Sequence, residues 1–559
     1  MSFEAYLGKK FLSTLPHEAE FSGLVILGTY FFRSDGGLQP FKSALENDPL
    51  ETLKQVSHYL DGAFTLLYAD PEENTLWVVT DPYCLNKIYY LKNQNQMVIS
   101  NDIEDFSVDK SLSFDHEGLH EYLRFLDISA PKTCFKDVHI LDGGQILKVL
   151  TVTEGFEIYH TPLCEAHVSE VSFDEAVEQT RIFLKDALDR RLGVVDKVGL
   201  FLSGGVDSSL LAGLYAELAH SYGDAEKLKA YTVGFEDEQL DESSIAESVA
   251  AHLGISHEVL KFDIEQEYQA FFEISGLLDV PFADPAVIPT FLTMQKMRAD
   301  GMSGVMEGTG ADGLIGASLP AFYHRVLKID QFIPRTVRQF IAGILDKAGD
   351  PFGHRPYFDF ESAEEKFIRW KGWKRAEIEK LCEQPCDFTH SAFYKAFQEF
   401  RNEDTYDLYR KLLVNMPDYR ITDSCRLLGF QPVFPFFDQQ LRDFVEGLPR
   451  NYKSNAGENK VLFKALLAQL VPRDIWDVPK HGFDYPFEKL LLYKDADLVE
   501  RYLNEESLQR HNLFKFEVIM DYKGRFLQGD MDLKFKVWAL VIFQCCYEQY
   551  YRRFLVKDS

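Results

Sequence analysis

The heptapeptide Ser203-Gly204-Gly205-Val206-Asp207-Ser208-Ser209 follows the apolar run "VGLFL" and leads directly into the helix-like run "LLAGL". Consecutive small residues between a strand end and a helix start leave backbone N–H groups free. Those groups point at whatever sits at the positive end of the helix dipole. The hydroxyls of Ser203, Ser208 and Ser209 add donors, so the loop reads as a nest for phosphate oxygens. It is not the G-x-x-x-x-G-K-[ST] loop, because it has no lysine and carries an aspartate instead. Asp207 would repel a bare phosphate. It becomes intelligible if Mg2+ lies between them, since Mg2+ takes one or two carboxylates together with phosphate oxygens. For "SGG" alone a plain Gly-Ser turn is an equal alternative; the full string between a strand and a helix favours phosphate.

The elements that must position this loop change character along the chain. From about residue 20 to 160, "SGLVILGTYFF", "GAFTLLYAD", "TLWVVTD", "KIYYL" and "QMVIS" read as short strands separated by polar turns. "HEGLHEYLRFL" is a helix among them. "FKDVHILDGGQILKVL" reads as a hairpin that turns at Asp142-Gly143-Gly144. Near residue 172 the pattern becomes helical, with Ser172 and Glu175 in capping-box spacing. Strands and helices then alternate through "VGLFLS", "KAYTVGF", "DESSIAESVAAHLG" and "SGVMEG", which predicts a parallel sheet covered on both faces. From about 320 onward the chain is mostly helical and aromatic.

A chain of 559 residues is long enough for more than one domain, and 46% apolar residues mark it as globular. The net charge of −29, with no basic block, argues against a nucleic-acid partner or an anionic membrane surface. "VWALVIFQCC" is about half the length of a membrane span. The N-terminus lacks the pattern of a signal peptide. The eight cysteines show no zinc-type spacing, and a reduced, cytoplasmic compartment is expected.

The Ser203–Ser209 string closely resembles the pyrophosphate loop of the ATP pyrophosphatase superfamily. "YTVGFEDEQLDESSIAESVAAHLGISHEVL", "DVPFADPAVIPTFL", "GVMEGTGADGLIGA", "FQPVFPFFDQQLRDFVEGLP" and "NKVLFKALLAQLVPRDIWDVPKHGFDYPFEKLL" resemble, in order, the successive motifs of the asparagine synthetase and β-lactam synthetase family over roughly residues 170 to 490. "LDGAFTLLYAD" and "DPYCLNKIYYL" are weaker matches to that family's glutaminase domain. The resemblance implies an α/β chain in two parts. Residues 1–165 would be a degenerate glutaminase-like domain, an Ntn-hydrolase-like β-rich sandwich. Residues 166–559 would be an ATP-pyrophosphatase-type parallel sheet with a helical extension. The tRNA-thiolating branch of the superfamily lacks this layout, and the acidic charge opposes it.

The same resemblance implies the site. ATP and Mg2+ are the expected ligands. Ser203, Gly204, Gly205, Asp207, Ser208, Ser209 and Gly308 would hold phosphates, and the backbone at Val233 would meet the adenine. Asp207 and Asp312 would be the metal carboxylates. Lys460 and Lys480 fall where the family places two lysines, which would stabilise charge on leaving pyrophosphate and at the reacting centre. His481 is read as structural.

The departures from the family are informative. The nucleophilic Cys expected after the initiator Met is Ser2, the glutamine-binding string is missing, and Cys84 lies in the wrong segment. No glutamine hydrolysis is expected. In the family's "S-G-E/D-G" the acid is replaced by Thr309, and the second acid of "D-E-L-F" by Gly313. The glutamate that assists catalysis in β-lactam synthetase-like members aligns with Gln431, so Thr309 and Gln431 are expected at the reacting end. The family's Asp-Arg pair is shifted, with Asp423 and Arg426 nearby. The expectation is an ATP-dependent carboxylate–amine ligase of specialised biosynthesis, adenylating a small-molecule or peptide carboxylate and passing it to an amine. An ammonia-dependent asparagine synthetase and an inactive nucleotide-binding scaffold are the alternatives. A homodimer is compatible with the sequence.

Overall fold

Two antiparallel sheets come first in the chain, and a parallel sheet follows. The structure is a computed structural model that describes residues 23–33, 37–70, 72–92, 97–108, 112–151, 155–161, 169–222, 227–235, 241, 243–275, 278–316, 333–334, 336–337, 340–341, 344, 372–386, 391–400, 419–455, 458–478, 485–549 and 552. The strands are β1 (Leu24–Phe32), β2 (Leu60–Asp70), β3 (Thr75–Thr80), β4 (Tyr89–Lys92), β5 (Met97–Ser100), β6 (Val138–Ile140), β7 (Gln145–Thr151) and β8 (Gly155–His160). The larger sheet has the order β1-β2-β3-β7-β8, and the smaller β5-β4-β6.

Alternation explains how these sheets stack. Along β2 and β3, Leu67, Ala69, Leu76 and Val78 face one core, shared with Ile88, Tyr90 and Ile99 of the smaller sheet. Phe64, Leu66, Trp77 and Val79 face the other way, onto Phe41, Leu45, Leu53 and Val56 of short helices. The strand-rich part is therefore a sandwich, as expected. The smaller sheet has a second buried face: Tyr89, Leu91, Val138 and Ile140 pack in one core with Phe271, Trp538 and Phe543 from the helices of the C-terminal half.

One local expectation fails. β6 and β7 do not form a hairpin, because β6 pairs with β4 and β7 with β3 and β8. The Asp142-Gly143-Gly144 turn instead carries the chain from one sheet to the other. It is held by hydrogen bonds from Leu141 N to Ile88 O, from Gly144 N to Asp81 O and from Thr80 Oγ1 to Asp142 O. A Cβ at Gly143 would come within 2.4 Å of the Pro82 carbonyl oxygen, so close approach sets the glycine there.

The second half opens with the Phe173–Leu192 helix, where Ser172 and Glu175 make the expected reciprocal cap. β9 (Val198–Phe201), β10 (Leu228–Val233), β11 (Ser256–Leu260), β12 (Gly304–Met306) and β13 (Gln431–Val433) then form a wholly parallel sheet ordered β11-β10-β9-β12-β13. Val198, Leu200, Leu202 and Met306 face helices Val206–Tyr222 and Val461–Leu470. Tyr231, Leu260 and Val305 face Met294, Met297 and Cys425 on the opposite side. The sheet is thus covered on both faces, as a parallel sheet requires. The Lys534–Gln549 helix is buried from Val537 to Tyr547 and belongs to the shared core. No helix among the described residues is long and apolar enough to cross a membrane.

Buried charges tie the halves together. Lys87, just before β4, reaches Asp423 at 2.8 Å and Asp279 at 3.3 Å, with its ammonium 3.7 Å from the centre of the Tyr419 ring. Arg426 adds a 3.2 Å contact to Asp279. Burial pushes the Asp279 carboxyl up, but Arg426 and Lys87 outweigh it and hold it at about 2. A second knot joins Arg191 to Asp61 at 3.1 Å and Arg190 to Asp438 at 2.6 Å. Breaking a buried pair leaves an uncompensated charge. Lys87→Met should therefore lower stability by roughly 3–5 kcal/mol, read as a fall in the urea midpoint. An unchanged midpoint would show that this knot does not hold the halves together.

Candidate active site

β9 is the first strand of the parallel sheet, yet it lies in the middle. The chain runs outward to β10 and β11 on one side, then crosses to β12 and β13 on the other. Ligands of open parallel sheets bind beyond the carboxyl ends of the strands at such a reversal. Here the reversal lies between β9 and β12. After β9, Ser203–Gly205 form the loop and Val206–Ser209 the first turn of the helix that follows, and the loop after β12 is Glu307-Gly308-Thr309-Gly310.

The β9 loop is built as its composition predicts. Gly204 adopts a left-handed φ of 69°, and a Cβ there would meet Ile245 Cγ2 at 2.8 Å. Ser203 Oγ and Ser208 Oγ lie 3.1 Å apart, and Gly205 N donates to Ser203 Oγ. Asp207 lies in the first turn of the Val206–Tyr222 helix. Ser209 is wholly buried, and its hydroxyl makes no hydrogen bond within the described residues. Gly308 brings the two loops together: a Cβ there would stand 2.9 Å from Asp207 Cβ. Val233 is the last residue of β10, half-buried and paired with Leu260 beside the β9 loop.

Lys460 arrives from 253 residues away in sequence. It caps the Val461–Leu470 helix with a left-handed φ of 53°, a conformation that costs a non-glycine residue about 1–3 kcal/mol and clusters at functional sites. The helix is fixed by close packing, since a Cβ on Gly213 would meet Leu470 Cδ1 at 2.9 Å. From this position Lys460 Nζ lies 2.6 Å from Asp207 Oδ2 and 2.6 Å from Asp312 Oδ1. Burial pulls the Lys460 ammonium down, but the two carboxylates outweigh it and raise it well above its ordinary range. It stays charged at any physiological pH.

Asp312 begins the short Ala311–Ile315 helix and is more than half exposed. Asp207 and Asp312 thus converge from two strands on one point. Among the described residues, no group of three or more His, Cys, Asp or Glu side chains could hold a metal by itself. Two carboxylates beside a phosphate nest fit Mg2+ carried on phosphate oxygens better than a resident ion.

The reacting end differs from expectation. Gln431 is exposed at the amino end of β13, opposite Gly304 at the amino end of β12. Parallel strands put all amino ends on one edge, so Gln431 lies away from the loops and is not a site residue. Thr309 is in place, and its hydroxyl donates to Glu307 Oε2. The other oxygen, Glu307 Oε1, accepts from Arg420 Nη2 at 2.5 Å. Glu307 and Arg420 were not among the expected residues. The signal was present, since Glu307 fills the serine slot of "S-G-E/D-G", two positions before the missing acid. Asp423 and Arg426 belong to the Lys87 knot. Lys480, His481 and Ser2 lie outside the described residues.

Cys84 is structural. Its Sγ donates to the Leu141 carbonyl at 3.0 Å, and burial pushes its thiol well above the ordinary range, the opposite of an activated nucleophile.

The Gly308–Asp207 contact leaves no room for a side chain. Overpacking there of roughly 1–3 kcal/mol would fall on the loop that carries Asp207. Gly308→Val should weaken Mg·ATP binding about 10-fold in a calorimetric titration, and unchanged affinity would show that the two loops do not act together.

Comparison with known proteins finds two family matches along the chain. Residues 179–548 match the asparagine synthase family, and residues 50–160 match the glutamine amidotransferase domain. Asparagine synthetase [glutamine-hydrolyzing] 1 of Bacillus subtilis (strain 168) is 22% identical over 518 residues, covering 88% of this chain and 78% of its own. A putative asparagine synthetase [glutamine-hydrolyzing] of Mycobacterium bovis is 23% identical over 543 residues, covering 92% of this chain and 79% of its own. Among solved structures, the NH3-dependent NAD synthetase from Campylobacter jejuni aligns at 18% identity over 26% of this chain and 62% of its own, with a TM-score of 0.19, an overlap too slight to argue from. The family match spans well over half of the sequence, and the chain belongs to the asparagine synthase family of ATP-dependent amidating ligases.

Proposed function

We propose that this chain joins a carboxylate to an amine by way of an acyl-adenylate. The supporting observation is the convergence of the Ser203–Ser209 cradle, Gly308, Asp207, Asp312 and Lys460 at the reversal between β9 and β12. A substrate carboxylate oxygen attacks the α-phosphate of ATP, and the bond to the β-phosphate breaks. Pyrophosphate leaves into the cradle, where backbone N–H groups and Lys460 receive its charge. Asp207 and Asp312 would hold Mg2+, which neutralises phosphate charge. Lys480 is assigned to the developing charge at the acyl centre. The amine then attacks the acyl carbon and AMP departs.

The amine must lose a proton in that second step. Glu307 is the acid closest in sequence to the Gly308 junction. Its carboxylate is oriented by Thr309 and Arg420. We assign it as the general base, in place of the family's acid at the Thr309 position. An aspartate substrate is disfavoured because Thr309 and Gly313 replace both acids of the motif. The substrate is accordingly a small-molecule or peptide carboxylate whose partner is already a free amine. Holding both ends in one pocket supplies much of the advantage of the amine step. No nucleic acid takes part.

ATP–pyrophosphate exchange across a panel of carboxylic acids, aspartate included, tests this reading. Exchange with a non-aspartate acid is expected. Exchange with aspartate alone would instead establish an ammonia-dependent asparagine synthetase. With the acid so found, Lys480→Ala should abolish amide formation while ATP still binds. Glu307→Gln should keep exchange but slow amide formation by a factor of about 10²–10⁴. Equal loss in both half-reactions would remove Glu307 from the base role.

The N-terminal sandwich is proposed to be structural, without glutaminase activity, which the inert setting of Cys84 supports. Incubation with glutamine should release no glutamate. Release at a rate matched to amide formation would overturn this.

A further inference from the structure

Lys460 does more here than wait for pyrophosphate. Its ammonium sits between the two carboxylates assigned to the metal, 2.6 Å from each. A divalent cation held by Asp207 and Asp312 would need those same oxygens. It would also lie within a few ångströms of a like charge in a half-buried place, where such repulsion is poorly screened. The lysine and the metal therefore exclude one another from this point unless negative charge is added.

The parties differ in freedom. Asp207 is pinned, because its Cβ packs against the Gly308 backbone. The Lys460 backbone is pinned too, as the left-handed cap of a helix locked by the Gly213–Leu470 contact. The four-carbon stem of Lys460 and the half-exposed side chain of Asp312 are the parts left to move. Nucleotide phosphates in the Ser203–Ser209 cradle are the added negative charge that could receive the displaced ammonium.

We propose that Lys460 is an internal counter-cation that competes with the divalent metal for Asp207 and Asp312, so that the metal loads only together with the nucleotide. The proposal rests on the ATP reading above. Lys460 is here a positioning residue for metal loading as well as a phosphate ligand. The coupling has a use: the carboxylates are kept paired, and the metal is admitted only when its other ligands arrive with it.

Mn2+ uptake by the full-length protein without nucleotide, followed through the electron paramagnetic resonance of the free ion, tests this. The wild type should bind Mn2+ weakly. Lys460→Met should bind one Mn2+ about 10-fold more tightly or better, and adding Asp312→Asn to it should erase that gain. Lys460→Arg, which keeps the cation, should stay as weak as the wild type. Thermal unfolding verifies that each variant is folded, and Lys460→Gln replaces the methionine variant should that one fail to fold. No gain on removing the charge, or a gain that survives Asp312→Asn, would overturn the proposal. Neither nucleotide nor turnover enters this measurement, so a failed exchange assay and a failed Mn2+ gain remain separate results.

Discussion

Asp207 and Asp312 carry like charges from the carboxyl ends of adjacent strands, and both reach the ammonium of Lys460. Two carboxylates brought this close in a half-buried place require a cation, and the surrounding structure is arranged to supply one. Gly308 and Asp207 touch, which fixes how near the β9 and β12 loops can come. Gly213 lets the Val461–Leu470 helix lie close on the Val206–Tyr222 helix, which sets where Lys460 emerges. Lys460 holds a left-handed backbone at the start of the Val461–Leu470 helix, a conformation that persists only where the surrounding structure over-determines it. Each of these contacts would be unremarkable alone. Together they place three charges within hydrogen-bonding distance beside a phosphate nest.

The sandwich holds this arrangement from a distance. Its smaller sheet is buried on both faces, one against the larger sheet and one against the C-terminal helices. The Lys87 knot then spans the same junction, with Lys87, Asp279 and Asp423 buried and Arg426 reaching them from the surface. Such pairs add little net stability over apolar packing, but they penalise any misregistered docking in which a charge loses its partner. That is a physical reason for the strand-rich layer to stay docked against the C-terminal half.

The two ends of the site differ in how far they keep the family pattern. The phosphate end has the full string, both carboxylates and Lys460. In the β12 loop an acid, Glu307, stands two residues before the Thr309 position, and the threonine hydroxyl donates to its carboxylate. Arg420 closes the group from a separate helix. Nucleotide chemistry tolerates little change because phosphate geometry is fixed.

Much of this was legible in the residues themselves. Local chemistry sufficed for the phosphate loop, the capping box at Ser172 and the alternation of parallel strands, because each depends on neighbours only a few positions apart. The short strands β11 and β13 went unseen, since three to five residues carry too little periodicity. Asp142-Gly143-Gly144 looked like a hairpin turn because turn chemistry is local, whereas the choice of partner strand is not. Gln431 aligned with a catalytic position yet stands at the wrong end of β13, since alignment counts residues and strand direction decides which edge they reach. Glu307 was passed over because its neighbour occupied the expected slot. The residues alone mark out a lysine-free loop with an aspartate in it, a composition suited to phosphate and Mg2+. Long-range packing is what sets Lys460 between Asp207 and Asp312 and brings Glu307 to Thr309 and Arg420. Those meetings depend on how distant helices pack and on which edge of the sheet the strands present, and no local pattern encodes either.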